Sequence, residues 1–271
     1  MLAFAVARLH ISGVKPLSNT PNLWREALPR PHADDYKYSR GHTLLLGSKS
    51  YTGATRLAAE ASSRIGSGLV TVLSAEQAQV YRATLPADIM VREEGLDEIN
   101  SPNVILAGPG GCDSKAGEVI QASNKALGLV LDADAIRLCG ELDHPTKVIT
   151  PHAGEFERYF GKIGDNPAQK AIDVAKQLNV VVVLKGSRTL IAAPDGRLAE
   201  NGHASPYLAK AGTGDVLAGM IAGLLAQAMP AFEAACAGVW LHGDASLRVG
   251  PGLVPQDLLI ELRPALADLL R

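Results

Sequence analysis

Short apolar runs without polar alternation recur along this chain from Thr43 onward, and helix-length amphipathic stretches separate them. Runs rich in Val, Ile and Leu on both faces are typical of strands in a parallel sheet that helices cover. The pattern therefore predicts an α/β fold, a three-layer sandwich whose mostly parallel central sheet carries helices on both faces. In such folds ligands bind beyond the carboxyl ends of the strands.

Each element can be placed from these runs. The strands are predicted, with a late hairpin on one edge, at Thr43–Leu46, Leu69–Leu73, Val104–Ala107, Leu129–Leu131, Lys147–Ile149, Val180–Leu184, Thr189–Ala193 and Arg197–Glu200. The helices are predicted at Ala54–Ile65, Ala75–Arg82, Ser114–Ala126, Gly154–Phe160, Ala168–Leu178, Asp215–Ala228, Ala231–Leu247 and Pro255–Leu270.

The first 35 residues differ from the rest because prolines crowd them at positions 16, 21, 29 and 31. We predict an N-terminal arm or linker remnant over residues 1–35, which packs on the body or on a neighbouring subunit. A single domain is predicted over residues 36–271. The apolar start is cut short by Arg8 and His10 without a small-residue cleavage site, so we expect no signal peptide.

Composition excludes several classes of function. With 47% apolar and 20% charged residues the chain can build a large core. A net charge of -2 gives no electrostatic case for nucleic acid or an anionic membrane. Cys112, Cys139 and Cys236 have no CxxC spacing, which indicates a reducing compartment without disulfides or structural zinc. We expect a cytoplasmic protein.

The strongest functional signal is the segment Gly212-Thr213-Gly214-Asp215, which opens a helix. The free N–H groups of a first helical turn and the positive end of the helix dipole favour a phosphate there. Asp215 beside that phosphate could accept a proton from an attacking hydroxyl, or it could simply cap the helix. The helix that follows is apolar on nearly every face, so we expect it to be buried. Its glycines at 219 and 223 let another backbone approach closely.

Two glycine-rich loops follow strands nearer the N-terminus. The loop from Gly47 to Ala54 could cradle a phosphate or a ribose, or be an ordinary turn; it is not a P-loop. Gly108-Pro109-Gly110-Gly111 does not complete a dinucleotide fingerprint, since Asp113 occupies the third glycine position. It is either a tight turn or a wall that a flat ligand approaches closely.

Polar residues follow three further strands. Asp132 and Asp134 could reach magnesium through water, and Asp134 could equally cap a helix. His152 lies on a loop after Pro151, and we interpret it as a substrate contact, with Glu155 reaching a hydrated cation. The run Lys185-Gly186-Ser187-Arg188-Thr189 could collect around nucleotide phosphates or a ribose, or be a solvated hairpin turn.

In this order, the segments resemble the ribokinase-like superfamily, and within it the ADP/ATP-dependent NAD(P)H-hydrate dehydratases. The similarity covers about residues 35–270 and includes Arg40-Gly41-His42, the two glycine loops, Leu184-Lys185-Gly186 and the Gly212–Asp215 segment. Thr150-Pro151-His152-Ala153-Gly154-Glu155 is its most specific part, although members commonly have Pro where this chain has Ala153. Ala204-Ser205 stands where many members carry Gly-Asn, and a serine replaces one hydrogen bond of an amide.

The resemblance implies dehydration of NAD(P)H hydrate to NAD(P)H, driven by ADP or ATP with Mg²⁺. A phosphoryl group is transferred to the C6 hydroxyl and then eliminated. It implies Asp215 as the base and the Gly212, Thr213 and Gly214 amides as an anion hole. Substrate contacts are implied at Ala54, Gly108, Gly110, His152 and Asp215. The nucleotide is implied at Lys185, Gly186, Ser187, Arg188, Thr189 and Gly214, with Glu155 near the metal through water.

Relatives of this kind assemble as homo-oligomers, and some are fused to an epimerase domain, whose activity we expect this chain to lack. Two alternatives stay open at this point. One is a small-molecule kinase of the same fold that releases a stable phosphate ester. The other is a nucleotide-binding sensor without chemistry, which the presence of Asp215 disfavours.

Overall fold

A computed structural model describes residues 15–94, 102–123 and 126–271. Its strands are β1 Leu17–Ser18, β2 His42–Leu46, β3 Leu69–Leu73, β4 Ile89–Arg92, β5 Val104–Ala107, β6 Gly128–Leu131, β7 Thr146–Ile149, β8 Val181–Leu184, β9 Thr189–Ala192 and β10 Leu198–Asn201. Its helices are α1 Thr52–Arg64, α2 Ala78–Thr84, α3 Ala116–Ala122, α4 Ala153–Phe160, α5 Pro167–Leu178, α6 Thr213–Ala226, α7 Ala231–Val249 and α8 Pro255–Leu270.

The strands form one sheet in the order β1-β10-β9-β8-β7-β6-β5-β2-β3-β4. From β4 across to β8 every neighbour is parallel, whereas β9 is antiparallel to both β8 and β10. The parallel strands therefore present their carboxyl ends at one edge of the sheet. The predicted mostly parallel sheet with a late hairpin is confirmed.

Two apolar clusters lie on the opposite faces of this sheet. One contains the buried residues of α1, α6, α7 and α8, and the other contains those of α3, α4 and α5. Alternate residues of each central strand enter alternate clusters, as Leu45 and Leu44 of β2 do. This arrangement explains why the strands are apolar on both faces, and it confirms the three-layer α/β sandwich.

The predicted elements agree with the structure to within a few residues, and the exceptions have local causes. The predicted helix Ser114–Ala126 is shorter, and residues 124 and 125 lie outside the described ranges. Strand β4 was not predicted, because its residues alternate in exposure and it lacks the continuous apolar run of the central strands. The residues after β6 form a 3-10 helix at Ala133–Leu138 with Asp132 at the N-cap position. The interpretation of Asp134 as the cap is therefore wrong, because Asp134 lies inside the first turn.

Helix α6 is buried along almost its whole length, as its apolar sequence predicts. Its Gly219 packs against the carbonyl of Ala58 and its Gly223 against Ser62 of α1, so closely that a Cβ would collide at either position. The predicted close backbone approach is confirmed, and it fixes the orientation of α6. Within the described ranges no helix combines the length and apolarity needed to cross a membrane.

The segment from residue 15 packs on the body of the fold. Strand β1 pairs in parallel with β10 at the sheet edge. Trp24 is only 1% exposed, contacts Trp240 of α7 with ring centroids 5.8 Å apart, and donates its indole N–H to Asn19. The first 14 residues of the predicted arm lie outside the described residues. The domain boundary near residue 35 stays a prediction.

Candidate functional site

The loops singled out in the sequence follow β2, β5, β6, β7 and β8, so they meet at one edge of the sheet. A chain of direct contacts links them to the first turn of α6. It runs from the Gly47–Ala54 loop through Gly108 and Gly110 to Asp132, and from there through Lys185 to Gly214. Loops separated by up to 160 residues in the sequence thus form one continuous surface.

Two glycine loops form one wall of this surface. The Ser48 hydroxyl donates to the carbonyl of Gly110 at 2.6 Å, and the Thr55 hydroxyl donates to that of Pro109 at 3.0 Å. Gly110 has φ +84° and lies against the backbone of Tyr51, where a side chain would not fit. Ala54 lies in the first turn of α1 beside it. The Gly108 loop forms a tight turn, in which the Gly111 N–H donates to the Gly108 carbonyl at 2.7 Å. Protein backbone lies on its inner side, and the approach of a flat ligand stays a prediction.

A buried ion pair stands at the centre of the site. Asp132, whose side chain is 5% exposed, accepts from the ammonium of Lys185 at 3.1 Å and from the hydroxyl of Thr150 at 2.6 Å, both at Oδ1. The Lys185 Nζ lies 3.3 Å from the position that a Cβ on Gly214 would occupy. Lys185 and Gly214, two of the predicted nucleotide contacts, are therefore adjacent.

The start of α6 has the geometry of an anion site. Gly212 is the N-cap with φ +94°, and a Cβ there would lie 2.8 Å from the Pro255 ring. The Thr213 hydroxyl lies 2.8 Å from the carbonyl oxygen of Leu208, to which it can donate. The side chain of Thr213 therefore braces the loop, and the Thr213 N–H donates to the carbonyl of Lys210 at 3.4 Å. The first turn of a helix leaves N–H groups without intrahelical partners, which favours an anion there.

Asp215 occupies the first turn of α6 and is partly buried. Burial, reinforced by the negative charges of Asp132 and Glu155, raises the pKa of Asp215 from 3.8 to about 7, while Lys185 opposes the rise. A carboxyl group that titrates near neutral pH can both accept and return a proton. Perturbed groups of this kind cluster at functional sites.

His152 and Glu155 form a capping box at the start of α4. The Glu155 N–H donates to Nδ1 of His152 at 3.2 Å, and the His152 N–H donates to Oε2 of Glu155 at 2.8 Å. The His152 side chain is 61% exposed, and its backbone bridges to Lys185 beside the ion pair. The capping role is compatible with the substrate and metal roles expected of these residues, which stay predictions.

The turn between β8 and β9 extends outward from Lys185. The Arg188 guanidinium pairs with Glu200 of β10 and is 68% exposed on its side chain. Gly186 and Thr189 bond one another across the turn, and Ser187 is exposed between them. The segment is a hairpin turn. Its Lys185 lies beside Gly214, and its Arg188 is held by Glu200 on β10.

His242 is a site residue that sequence reasoning missed. It lies on α7, is buried, and its Nε2 is 2.9 Å from the carbonyl oxygen of Thr213. Burial lowers the pKa of His242 to about 4, so the ring is neutral and donates its Nε2–H to that carbonyl. No sequence signal marks it, because a histidine within an apolar helix looks like any other core polar residue.

The loop that departs from the family pattern is also built into the fold. The Ser205 N–H donates to the hydroxyl of Ser246 on α7 at 3.0 Å. The Ser205 hydroxyl accepts from the Tyr207 N–H at 3.3 Å and caps the 3-10 helix Pro206–Leu208. The hydrogen bonds of Ser205 thus fix the loop that leads to Gly212.

The donor set suits magnesium bound chiefly through phosphate and water. Among the described residues no group of three or more His, Cys, Asp or Glu side chains could hold a metal ion by itself. Magnesium, however, commonly keeps several waters and takes only one or two carboxylates beside the phosphates of a substrate. Glu155 is placed to provide one such carboxylate, a role that stays a prediction, whereas Oδ1 of Asp132 already accepts from Lys185 and Thr150.

The sequence and the fold are similar to those of known proteins. A family model described as NAD(P)H-hydrate dehydratase matches residues 42–258. An ADP-dependent (S)-NAD(P)H-hydrate dehydratase of Listeria monocytogenes is 33% identical over 82% of this chain and 85% of that protein. A crystal structure of an ADP/ATP-dependent NAD(P)H-hydrate dehydratase from Bacillus subtilis, co-crystallised with ATP and Mg²⁺, is 28% identical with a TM-score of 0.83, covering 96% of this chain and 99% of that one.

Longer relatives match as well. A bifunctional NAD(P)H-hydrate repair enzyme of Methanopyrus kandleri is 34% identical over 88% of this chain and 51% of its own length. The chain spans about half the length of the bifunctional relatives that it matches.

Proposed function

The chain belongs to the NAD(P)H-hydrate dehydratase family, and from that premise we propose that it dehydrates (S)-NAD(P)H hydrate to NAD(P)H at the expense of ADP or ATP. One observation carries the proposal: Asp215, a partly buried carboxyl group, lies in the first turn of a glycine-capped helix beside a lysine, and burial raises its pKa to about 7. This combination suits transfer of a phosphoryl group to a hydroxyl.

In the first step Asp215 takes the proton of the C6 hydroxyl as its oxygen attacks the terminal phosphorus of the nucleotide. The bond from that phosphorus to the bridging oxygen breaks, so ADP leaves as AMP and the substrate carries a phosphate. General base catalysis of this kind contributes typically 10² to 10⁴ in rate. A pKa near 7 keeps a large part of Asp215 ionised at neutral pH while leaving it basic enough for the task.

In the second step the C6–O bond breaks with its electron pair on the phosphate. The ring nitrogen supports the developing positive charge, and the departing phosphate or a water molecule takes the adjacent C5 proton, which restores the dihydropyridine. Phosphate is a far better leaving group than hydroxide, which explains why a dehydration would consume a nucleotide. The overall products are NAD(P)H, AMP and inorganic phosphate when ADP is used.

The charge on the transferring phosphate would be held by the amides of Gly212, Thr213 and Gly214 and by the Lys185 ammonium. A bound Mg²⁺, with Glu155 reaching it through water, would neutralise further phosphate charge. The nucleotide would lie along the turn from Lys185 to Thr189. The buried α6, fixed against α1 by two glycines, keeps this cradle rigid.

The hydrate would lie against the wall formed by Ala54, Gly108 and Gly110, with His152 at its open side. The carbonyl of Gly110 and the backbone of Gly108 are already fixed by protein contacts. A flat ring can approach glycine backbone closely because no side chain intervenes. These assignments are supported by the contiguity of the loops and by their match to the family motif.

The finer biological setting is also part of the proposal. The curated relatives include enzymes named as ADP-dependent, which supports ADP as the phosphoryl donor. Three unpaired cysteines, two of them buried, fit a reducing cytoplasm. Assembly into a homo-oligomer is also part of the proposal and is supported by the family resemblance alone.

The test mixes the protein with (S)-NADH hydrate, Mg²⁺ and either ADP or ATP, and follows the absorbance band of NADH. We expect the band to rise, with one phosphate released for each NADH formed. Release of a stable phosphate ester without NADH would identify a small-molecule kinase instead. Nucleotide binding without any turnover would identify a sensor.

A further inference from the structure

Asp132 is a buried charged residue at the centre of the site that the reaction above does not use. It follows β6 directly, and its backbone carbonyl lies against Gly108 so closely that any Cβ at Gly108 would collide with it. Its side chain is 5% exposed. A carboxylate that has lost its water shell is costly unless it is paired and hydrogen-bonded, so its position reflects a specific use.

Its partners come from two neighbouring strand ends. Thr150, the residue after β7, donates its hydroxyl to Oδ1 of Asp132 at 2.6 Å, and Lys185, the residue after β8, donates its ammonium to the same oxygen at 3.1 Å. Thr150 is fully buried and its hydroxyl orients the carboxylate. The carboxylate in turn sets the direction in which the Lys185 side chain extends.

The lysine is restrained at both ends. Its backbone N–H donates to the carbonyl of Pro151 at 2.8 Å, and its Nζ lies between Asp132 and the first turn of α6. Without Asp132 the four-carbon side chain would be free to sample other rotamers, because nothing else in the described residues bonds to its Nζ. A lysine held in this direction reaches a phosphate at Gly214 without a further ordering step.

Asp132 also acts on Asp215 through its charge. The charged groups that face Asp215 are Asp132 after β6, Glu155 on α4 and Lys185 after β8; the two carboxylates favour its protonated form and the ammonium favours its ionised form. If the charge of Asp132 alone were removed, Glu155 would be the remaining carboxylate of this group that opposes the effect of Lys185 on the pKa of Asp215. Asp215 would then ionise at lower pH and become a weaker base.

We propose that Asp132 is a positioning residue for phosphoryl transfer, which holds the Lys185 ammonium beside Gly214 and so directs it toward the transferred phosphate. Its negative charge also acts on Asp215. The inference rests on the proposed function and deepens it. It assigns to this chain a three-residue relay, in which Thr150 orients the Asp132 carboxylate and Asp132 orients the Lys185 ammonium. This relay sets the position of the lysine and the basicity of Asp215.

The first test is the pH dependence of kcat/KM for Asp132→Asn, a substitution that preserves shape and removes the charge. We expect the acid limb to move about one pH unit lower than in the wild type and the plateau to fall about tenfold or more. Both proteins use the same nucleotide, so protonation of its phosphates affects both pH profiles equally and does not contribute to the difference between them. An acid limb at the wild-type position, with or without a loss of stability, overturns the proposal.

The second test asks whether Asp132 acts through Lys185. Lys185→Met and the double variant Asp132→Asn with Lys185→Met are compared for the KM of ADP. If Asp132 acts by positioning the lysine, the KM for ADP of the double variant is no higher than that of Lys185→Met alone. If the increases in KM of the two single variants multiply in the double variant, the residues act independently and this link is overturned.

A third pair of variants covers the case in which Asp132→Asn does not fold. Thr150→Val keeps the shape of the side chain and removes the hydroxyl that orients Asp132, whereas Thr150→Ser keeps the hydroxyl. We expect kcat/KM to fall about tenfold in the valine variant and to stay within about twofold in the serine variant. Equal activity in the two variants, with folding confirmed by melting temperature, contradicts the relay.

A titration separates this inference from the proposed function. The side-chain carboxyl carbon of Asp215, identified in ¹³C-labelled protein by its loss in Asp215→Asn, is followed by NMR in the wild type and in Asp132→Asn. The midpoint should fall by about one pH unit without Asp132, whether or not the protein turns over hydrate. An unchanged midpoint refutes the coupling, while absent turnover with a shifted midpoint refutes only the proposed reaction.

Discussion

Replacing Asp215 by Asn should make the protein more stable at pH 8 and nearly inactive. Burial, the negative charges of Asp132 and Glu155, and opposition from Lys185 together raise the pKa of Asp215 from 3.8 to about 7. At 1.36 kcal/mol per pH unit, that rise corresponds to ~4 kcal/mol of destabilisation of the ionised form relative to the unfolded chain. Because Asp215 is only partly buried, solvent screening reduces the effect, and we expect ~2 kcal/mol.

The sign follows from linkage. A group whose pKa is raised by folding contributes stability that is fully present below its unfolded pKa and is lost as the pH rises through its folded pKa. The wild type should therefore lose stability between about pH 4 and pH 7 through this one group. The Asn variant, which cannot ionise, should match the wild type near pH 4 and exceed it at pH 8. The alternative role of Asp215 as the helix cap is wrong, because Gly212 is the N-cap of α6 and Asp215 lies inside the first turn, so the substitution leaves the cap intact.

Urea unfolding at pH 4.5 and pH 8 measures this difference, and turnover with ADP measures the loss of the base, expected to be about 10² or more. Asp134→Asn is a matched control, because Asp134 is an exposed carboxylate in the first turn of the 3-10 helix after Asp132. It should show neither effect. A variant at Asp215 that is less stable than the wild type at pH 8 would show that the ionised carboxylate stabilises the first turn of α6, and near wild-type turnover would remove it from the mechanism.

Three further outcomes follow from the geometry. Gly212→Ala should lower stability by ~1 to 2 kcal/mol and raise the KM for ADP, because φ of Gly212 is +94° and the Pro255 ring of α8 blocks the Cβ. In the control Gly250→Ala, φ is +73° and the space around the Cβ is open, so the stability should change and the KM for ADP should not. His242→Phe should leave the carbonyl of Thr213 unpaired and cost ~1 to 3 kcal/mol by urea unfolding, whereas His242→Gln should recover part of the stability and turnover. Trp24→Ala should cost ~3 to 5 kcal/mol in the same assay, since the ring is 1% exposed in the main apolar cluster; a loss below ~1 kcal/mol would show a detachable arm.

The local sequence alone predicts much of this protein. The apolar strands specify a sheet covered on both faces, because a strand without a polar face cannot border water. Gly212 and the apolar run after Asp215 locate the start and the burial of α6. The glycines at 219 and 223 predict a close neighbour, although only the structure identifies it as α1. These features depend on properties of adjacent residues or of residues one helical turn apart.

Only the tertiary structure decided how the site functions as a unit. The pairing of Asp132 with Lys185 joins residues 53 positions apart, and the bond from His242 to Thr213 joins residues 29 apart. Strand β1 pairs with residues more than 180 positions away. A two-residue strand carries no periodicity, a buried histidine resembles any core polar residue, and the basicity of a carboxylate depends on which charges the fold brings beside it. The sequence therefore predicted the residue types at the site. The interactions between these residues depend on the order of the strands, which brings five strand ends together at one edge of the sheet.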